Sequence, residues 1–182
     1  DAVATDAGVW VRLPGERLLG LVAPESAAAV ESAAAAFAPA RDPQAWGWLD
    51  IAAGIPWITT ATQDQLVAQM ANFELLGGVH FQKGCYPGQE IVARTQHIGR
   101  IKRRMYRGHV ATEESPVPGD PVYGADVGDQ ASGLVVNAAP APAGGFDVLA
   151  VMYSSTAAAG RAHLKRLDGP AIRIEALPYA IE

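Results

Sequence analysis

The side chains best placed to do chemistry lie in one run, Lys83-Gly84-Cys85-Tyr86-Pro87-Gly88-Gln89-Glu90-Ile91-Val92-Ala93-Arg94, which holds the only cysteine of the chain, two residues after a lysine. A thiol acts as nucleophile or ligand in its thiolate form, and a nearby cation or a helix N-terminus favours that form. Ile91, Val92, Thr95 and Ile98 fall at helical spacing on one side, which predicts a helix from Pro87 onward. Proline suits the first helical turn. Glu90 near the start and Arg94 and His97 near the end follow the order that a helix dipole favours, with Gly99 as the stop. Cys85 is thus expected just ahead of a helix N-terminus, with Lys83 close by. His80 and His97 are the histidines nearest to it. Neither comes with a third, orienting residue, so ordinary surface or core roles are favoured over a Cys–His nucleophile.

The composition narrows the context of this thiol. The chain has 182 residues, 49% hydrophobic and 18% charged, the make-up of an ordered globular protein with room for a sizeable core. No apolar run approaches the roughly 20 residues that span a bilayer, and the start has no signal-peptide pattern. One cysteine excludes an internal disulfide framework or a CxxC site, and fits a reducing cytoplasm. The net charge of −5 is unevenly spread. Residues 1–76 carry −6 and residues 108–182 carry −5, whereas residues 77–107 carry seven bases against Glu90, for +6. Cys85 lies in the only basic segment, whose field would draw an anionic partner.

The elements that must hold this loop read as follows. Residues 6–13 and 16–22 predict two strands around Pro14-Gly15, and the chain enters them directly from Asp1, as part of a longer protein would. Pro24 and the Ala-rich run 25–38 predict a helix ended near Pro39. Trp46, Trp48 and Trp57 lie within one short region; on a strand Trp46 and Trp48 would share a face. Such a cluster is most often core, and its functional reading is a stacking platform for a flat heterocycle. A short helix is expected over 63–72, then a turn over 72–78 and a brief strand, Val79–Phe81, leading into the cysteine loop. Beyond Gly99 six short strands are expected, at 102–110, 120–126, 131–138, 146–152, 161–167 and 171–177. Their Pro/Gly/Asp/Asn turns suggest a small antiparallel barrel. The expected domains are therefore 1–99 and 100–182.

The run Lys83–Arg94 resembles the signature of the YgfZ-type folate-binding proteins, relatives of the glycine-cleavage T-protein (aminomethyltransferase). The resemblance continues upstream through Ile51–Pro56, Gln69 and Asn72, and Leu76–Val79. Downstream it takes in Lys102-Arg103 and Glu175–Glu182, so that it covers essentially the whole chain as the C-terminal portion of a longer member. It implies an α+β fold: part of a T-protein-like folate-binding region, followed by a C-terminal antiparallel β-barrel. It also implies that Trp46 takes part in binding tetrahydrofolate, and that Lys83 and Cys85 carry the activity. Asn72, Tyr86, Gln89, Glu90 and Arg94 are the further positions matched, expected on the cofactor side. Many members have an Arg-Gly pair where this chain has Ile98-Gly99, which leaves Arg100 as the base available to compensate.

The function so implied is that of a tetrahydrofolate-binding accessory protein. It would serve iron–sulfur proteins or their assembly factors and reach tRNA modification indirectly, through iron–sulfur enzymes. One cysteine cannot hold a cluster alone, since four ligands are usual, so Cys85 would be a reactive or transiently ligating thiol shared with a partner. A folate-dependent one-carbon transferase ranks behind, because its carboxylate would come from the half not present here. Direct nucleic-acid binding through Arg100–Arg107 also ranks behind. Tyr106 is the only aromatic in that run, the following segment is acidic, and a solvated basic strand edge explains the charges. No DNA partner and no membrane partner are expected.

Overall fold

The computed structural model describes every residue except Ile98, Arg100 and Glu182, so the expectations for Ile98 and Arg100 lie outside the described residues. The chain divides into two compact units, Asp1–Ala45 and Trp46–Glu182. The change of sequence pattern near residue 100 coincides with the start of the barrel's first strand.

In the first unit, β1 (Ala2–Thr5), β2 (Gly8–Leu13) and β3 (Arg17–Val22) form an antiparallel meander. Trp10 stands opposite Gly20, where a Cβ would lie 2.6 Å from the indole, so the missing side chain makes room for the ring. Helix α1 (Pro24–Ala35) starts with proline in its first turn, as expected. It ends three residues short of the expected limit, which leaves Phe37 outside the helix and 93% exposed.

Trp46 and Trp48 lie on a helix, α2 (Gln44–Ala52), and not on a strand. The reason is local: the Asp42 carboxylate accepts the Gln44 N–H at 2.8 Å and its carbonyl accepts the Ala45 N–H at 2.9 Å. Asp42-Pro43, read as a turn, is therefore a helix cap followed by a first-turn proline. The helix expected over 63–72 shrinks to a 3₁₀ turn, Ala68–Ala71. Asp64 (φ +61°) and Asn72 (φ +59°) both take the left-handed conformation, which a right-handed helix cannot contain. Residues 79–81 form no strand. Helix α3 (Gln89–His97) begins two residues later than expected, because Gly88 sits at φ +81° and stops the helix from reaching back to Pro87.

The six later strands appear as expected: β4 (Arg103–Val110), β5 (Pro121–Gly124), β6 (Ala131–Pro140), β7 (Phe146–Tyr153), β8 (Ala162–Leu164) and β9 (Ala171–Glu175). They close into an antiparallel barrel in the order β4-β7-β6-β5-β8-β9. The protein is thus α+β with a closed six-stranded barrel. Helix α4 (Ser154–Ala159) follows β7. Alternation along the strands separates two cores. Val110, Val135, Val148, Ala150, Met152, Leu164 and Ile172 belong to one. Met105, Val136, Leu149 and Val151 belong to the other, which packs against Trp48, Ile51, Leu66 and Met70. Segment 46–77 is therefore a cover laid on the outer face of β4, β7 and β6, and it carries the chain to the cysteine loop. β4 pairs with β7 over Arg103–Val110 but with β9 only over Arg107–Val110, and two of its arginines, Arg104 and Arg107, are held in ion pairs with Glu74 and with Asp147 and Glu175.

Candidate functional site

The cysteine loop is held by its own backbone and by α3. The Tyr86 N–H donates to Oε1 of Gln89 at 3.1 Å, and the Tyr86 carbonyl accepts the Gln89 N–H at 3.3 Å, so the first helical residue pins the loop in front of it. The Lys83 ammonium lies 4.7 Å from the centre of the Tyr86 ring, a cation–π contact. Phe81 meets His97 edge to face, with centroids 6.3 Å apart, so the start of the loop returns to the end of the helix. Cys85 is a free, exposed thiol. It lies four residues ahead of α3, further than expected, so it sits outside the first turn, where a helix dipole is felt. Lys83 is the cation nearest to it in sequence. His80 accepts the Gln82 N–H and His97 faces Phe81; neither contact involves Cys85. Among the described residues no group of three or more His, Cys, Asp or Glu is placed to hold a metal ion.

Lys83, Cys85 and Tyr86 are thus gathered in one loop, pinned by Gln89 at the start of α3, with Glu90 and Arg94 exposed along that helix. Trp46 lies apart from them in sequence and element, 36% exposed on α2. Its neighbours are anchored. Trp48 donates its indole N–H to Asp147 at 2.8 Å, and Trp57 donates its own to Asp50 at 2.8 Å. Asn137 also clamps the Trp57 backbone by accepting its N–H and donating to its carbonyl. Trp48, through its indole, and Trp57, through its backbone, therefore fasten the cover to the barrel, while the rings of Trp57 and Trp46 are both partly open to solvent, at 61% and 36%.

Asn72 is fully buried. It donates to the Met105 carbonyl at 2.9 Å, while Gln69 donates to the Val92 carbonyl at 2.6 Å. The Arg104 guanidinium reaches the Gln69 carbonyl at 2.9 Å and pairs with Glu74. This polar knot ties the 3₁₀ turn to both α3 and β4. Oε1 of Gln69, Oδ1 of Asn72 and Oε2 of Glu74 are buried acceptors left without a donor there. Gln69, Glu74 and Arg104 were not singled out as site residues by the sequence; only the quoted Gln69 and Asn72 pair pointed towards the knot.

A second polar knot lies on β7. Asp147, 4% exposed, accepts from Trp48, from Arg107 at 3.1 Å and from His109 at 2.9 Å. Burial alone would raise its carboxyl, but the hydrogen bonds from His109, Trp48 and Arg107 outweigh it and hold it below the usual carboxylate range.

Beside the C-terminal part of α3 runs a cleft of about 330 Å³, lined by Val67, Met70, Thr95, Gly99, Ile101, Lys102, Arg103 and Tyr153. Of these, only Lys102 and Arg103 belong to stretches quoted for the resemblance. The pairing that builds its wall, Arg103 opposite Tyr153 in the β4–β7 register, emerges only once the barrel closes.

No protein-family model matches the chain. Curated relatives do. It is 34% identical over 175 residues, 95% of its own length and 53% of the relative's, to the tRNA-modifying protein YgfZ of Sodalis glossinidius (strain morsitans). It is 34% identical over 176 residues to the protein of that name from Klebsiella pneumoniae (strain 342), and 31% identical over 176 residues to that of Escherichia coli O127:H6 (strain E2348/69 / EPEC), in each case over 96% of the chain and 53% of the relative. The chain spans about half the length of the curated relatives it matches.

Proposed function

The chain is a YgfZ-type sequence along 95% of its length, and from that premise we propose that it is the cysteine-loop and barrel portion of a tetrahydrofolate-binding accessory protein that supports iron–sulfur proteins and, through them, tRNA modification. On this reading residues 1–99 complete a T-protein-like folate region, residues 100–182 are the C-terminal barrel domain, and the protein works in the reducing cytoplasm. The observation that carries the reading is the exposed Cys85, free of any disulfide, in the one basic segment of an acidic chain.

Residue types that suit a folate are present, on separate elements. Trp46 offers an accessible indole on which a flat pterin stacks. Lys83, Arg94 and Lys102 are exposed cations of the kind that attract glutamyl carboxylates. The polar knot around Asn72 fixes the turn between the cover and α3, so Asn72 acts by positioning. When bound, tetrahydrofolate supplies a reduced pterin; the chain's own part is to hold it and to present a thiol. Cys85 is one ligand or one redox partner, and the remaining ligands of any cluster come from the client.

The test is alkylation of Cys85 by iodoacetamide near pH 7. The native chain is expected to react faster than a free thiol, Lys83→Gln is expected to slow it about two- to fivefold, and saturating tetrahydrofolate is expected to protect it. A rate equal to that of a free thiol, unmoved by Lys83→Gln and by the folate, would sink the reading.

A further inference from the structure

The cleft beside α3 has a chemical character of its own. Along β4, Arg104 is paired with Glu74, and Arg107 with Asp147 and Glu175. Arg103 differs in having no carboxylate partner among the described residues; its buried Nε, like that of Arg107, donates to nothing. Its guanidinium carbon lies over the Tyr153 ring, 4.4 Å from the centroid, because the two residues face each other across the β4–β7 pair. Lys102 adds a second, exposed cation, and among the described residues no acid lines the cleft. Val67, Met70 and Ile101 give apolar walls, and Thr95 a hydroxyl.

We propose that this cleft binds a planar aromatic carboxylate. A guanidinium already stacked on one ring is prepared to stack on a second through its other face. Its uncommitted N–H groups, with the Lys102 ammonium, supply the charge-assisted hydrogen bonds that a carboxylate takes. The thioether of Met70 adapts to an aromatic body. The volume of about 330 Å³ lies at the small end of ligand pockets, sized for one ring with an acidic tail and too small for a strand of nucleic acid. Gly99 keeps the cleft narrow at one side: a Cβ there would lie 3.0 Å from Thr95 backbone atoms, so the chain passes directly against α3. The inference deepens the folate reading, which guides the choice of probe, since the p-aminobenzoyl-glutamate moiety of a folate is such a group; a free aromatic acid is the other source.

The experiment uses p-aminobenzoyl-L-glutamate itself and its neutral dimethyl ester, titrated calorimetrically into the 182-residue chain. The acid is expected to bind, with the ester and the Arg103→Gln variant each at least about tenfold weaker. Arg166→Gln, an exposed cation outside the cleft, is expected to bind as the unaltered chain does. If Arg103→Gln does not fold, the unaltered chain decides the matter: the acid should protect Lys102 from acetic anhydride. No binding at millimolar acid, equal binding by folded Arg103→Gln, or no protection of Lys102 would overturn the proposal. Tetrahydrofolate titrated in parallel separates the two readings. Acid binding that depends on Arg103 without folate binding leaves the cleft and removes the cofactor; folate binding untouched by Arg103→Gln, with no binding of the acid, does the reverse.

Discussion

Asp147 shows how one buried carboxylate organises its surroundings. It takes hydrogen bonds from an indole, a guanidinium and an imidazole, and so joins α2 to β4 and β7. Its carboxyl is held below the ordinary range, so its stabilisation is fully present above the unfolded carboxylate pKa of about 4 and is lost as pH falls through the depressed value. Asp147→Asn should therefore cost about 2–3 kcal/mol at pH 7, since it removes the buried charge that accepts from Trp48, Arg107 and His109 and leaves Arg107 with Glu175 as its acidic partner. That difference should shrink in urea titrations at pH 3; an unchanged difference would mean that the charge contributes nothing. The tryptophans bear on the same scale. Sequence alone offered core or stacking platform for the cluster; Trp48 and Trp57 are held by their indole N–H groups, and the rings of Trp46 and Trp57 both keep an exposed part.

At the scale of elements, the 3₁₀ turn at Ala68–Ala71 is the joint between barrel and cysteine loop. Asn72 ends it in the left-handed conformation and donates to Met105 from full burial. Its backbone and side-chain contributions can be separated. Asn72→Gly keeps the permitted φ and loses the hydrogen bond, for about 1–2 kcal/mol; Asn72→Ala adds the left-handed penalty, about 1 kcal/mol more. Equal urea midpoints for the two variants would show that the backbone geometry carries no weight. The misreadings cluster in this stretch, for a physical reason. The helix expected over 63–72 and the strand at Val79–Phe81 rested on local pattern. The actual path is set by two residues at positive φ and by bonds to β4 and α3 that are remote in sequence. Asp42-Pro43 is different, since a cap followed by a first-turn proline was legible and was read as a turn.

Across the whole molecule, the barrel was the most legible part. Its six strands are bounded by turn residues, so spacing alone located them. The candidate site was legible where it is continuous in sequence, in the loop Lys83–Arg94. It was not legible where it depends on register, as with Arg103 opposite Tyr153. The cores are uneven as well. Every buried hydrophobic side chain lies at or beyond Ile51, and within Asp1–Ala45 only Arg17 is buried among the described residues. Native-state hydrogen exchange should therefore show β6 and β7 protected near the global limit while β1–β3 exchange far earlier, through local opening. Equal protection of the two sets would contradict that division.

The proposal that Trp46 is the stacking side of a folate site is tested most directly by titrating tetrahydrofolate against tryptophan fluorescence in the unaltered chain and in Trp46→Ala. The expected result is saturable quenching in the unaltered chain and, in the folded variant, an affinity at least about tenfold lower, the scale of a lost aromatic stack. Identical titrations for the two proteins, or no saturable binding by the unaltered chain, would contradict it.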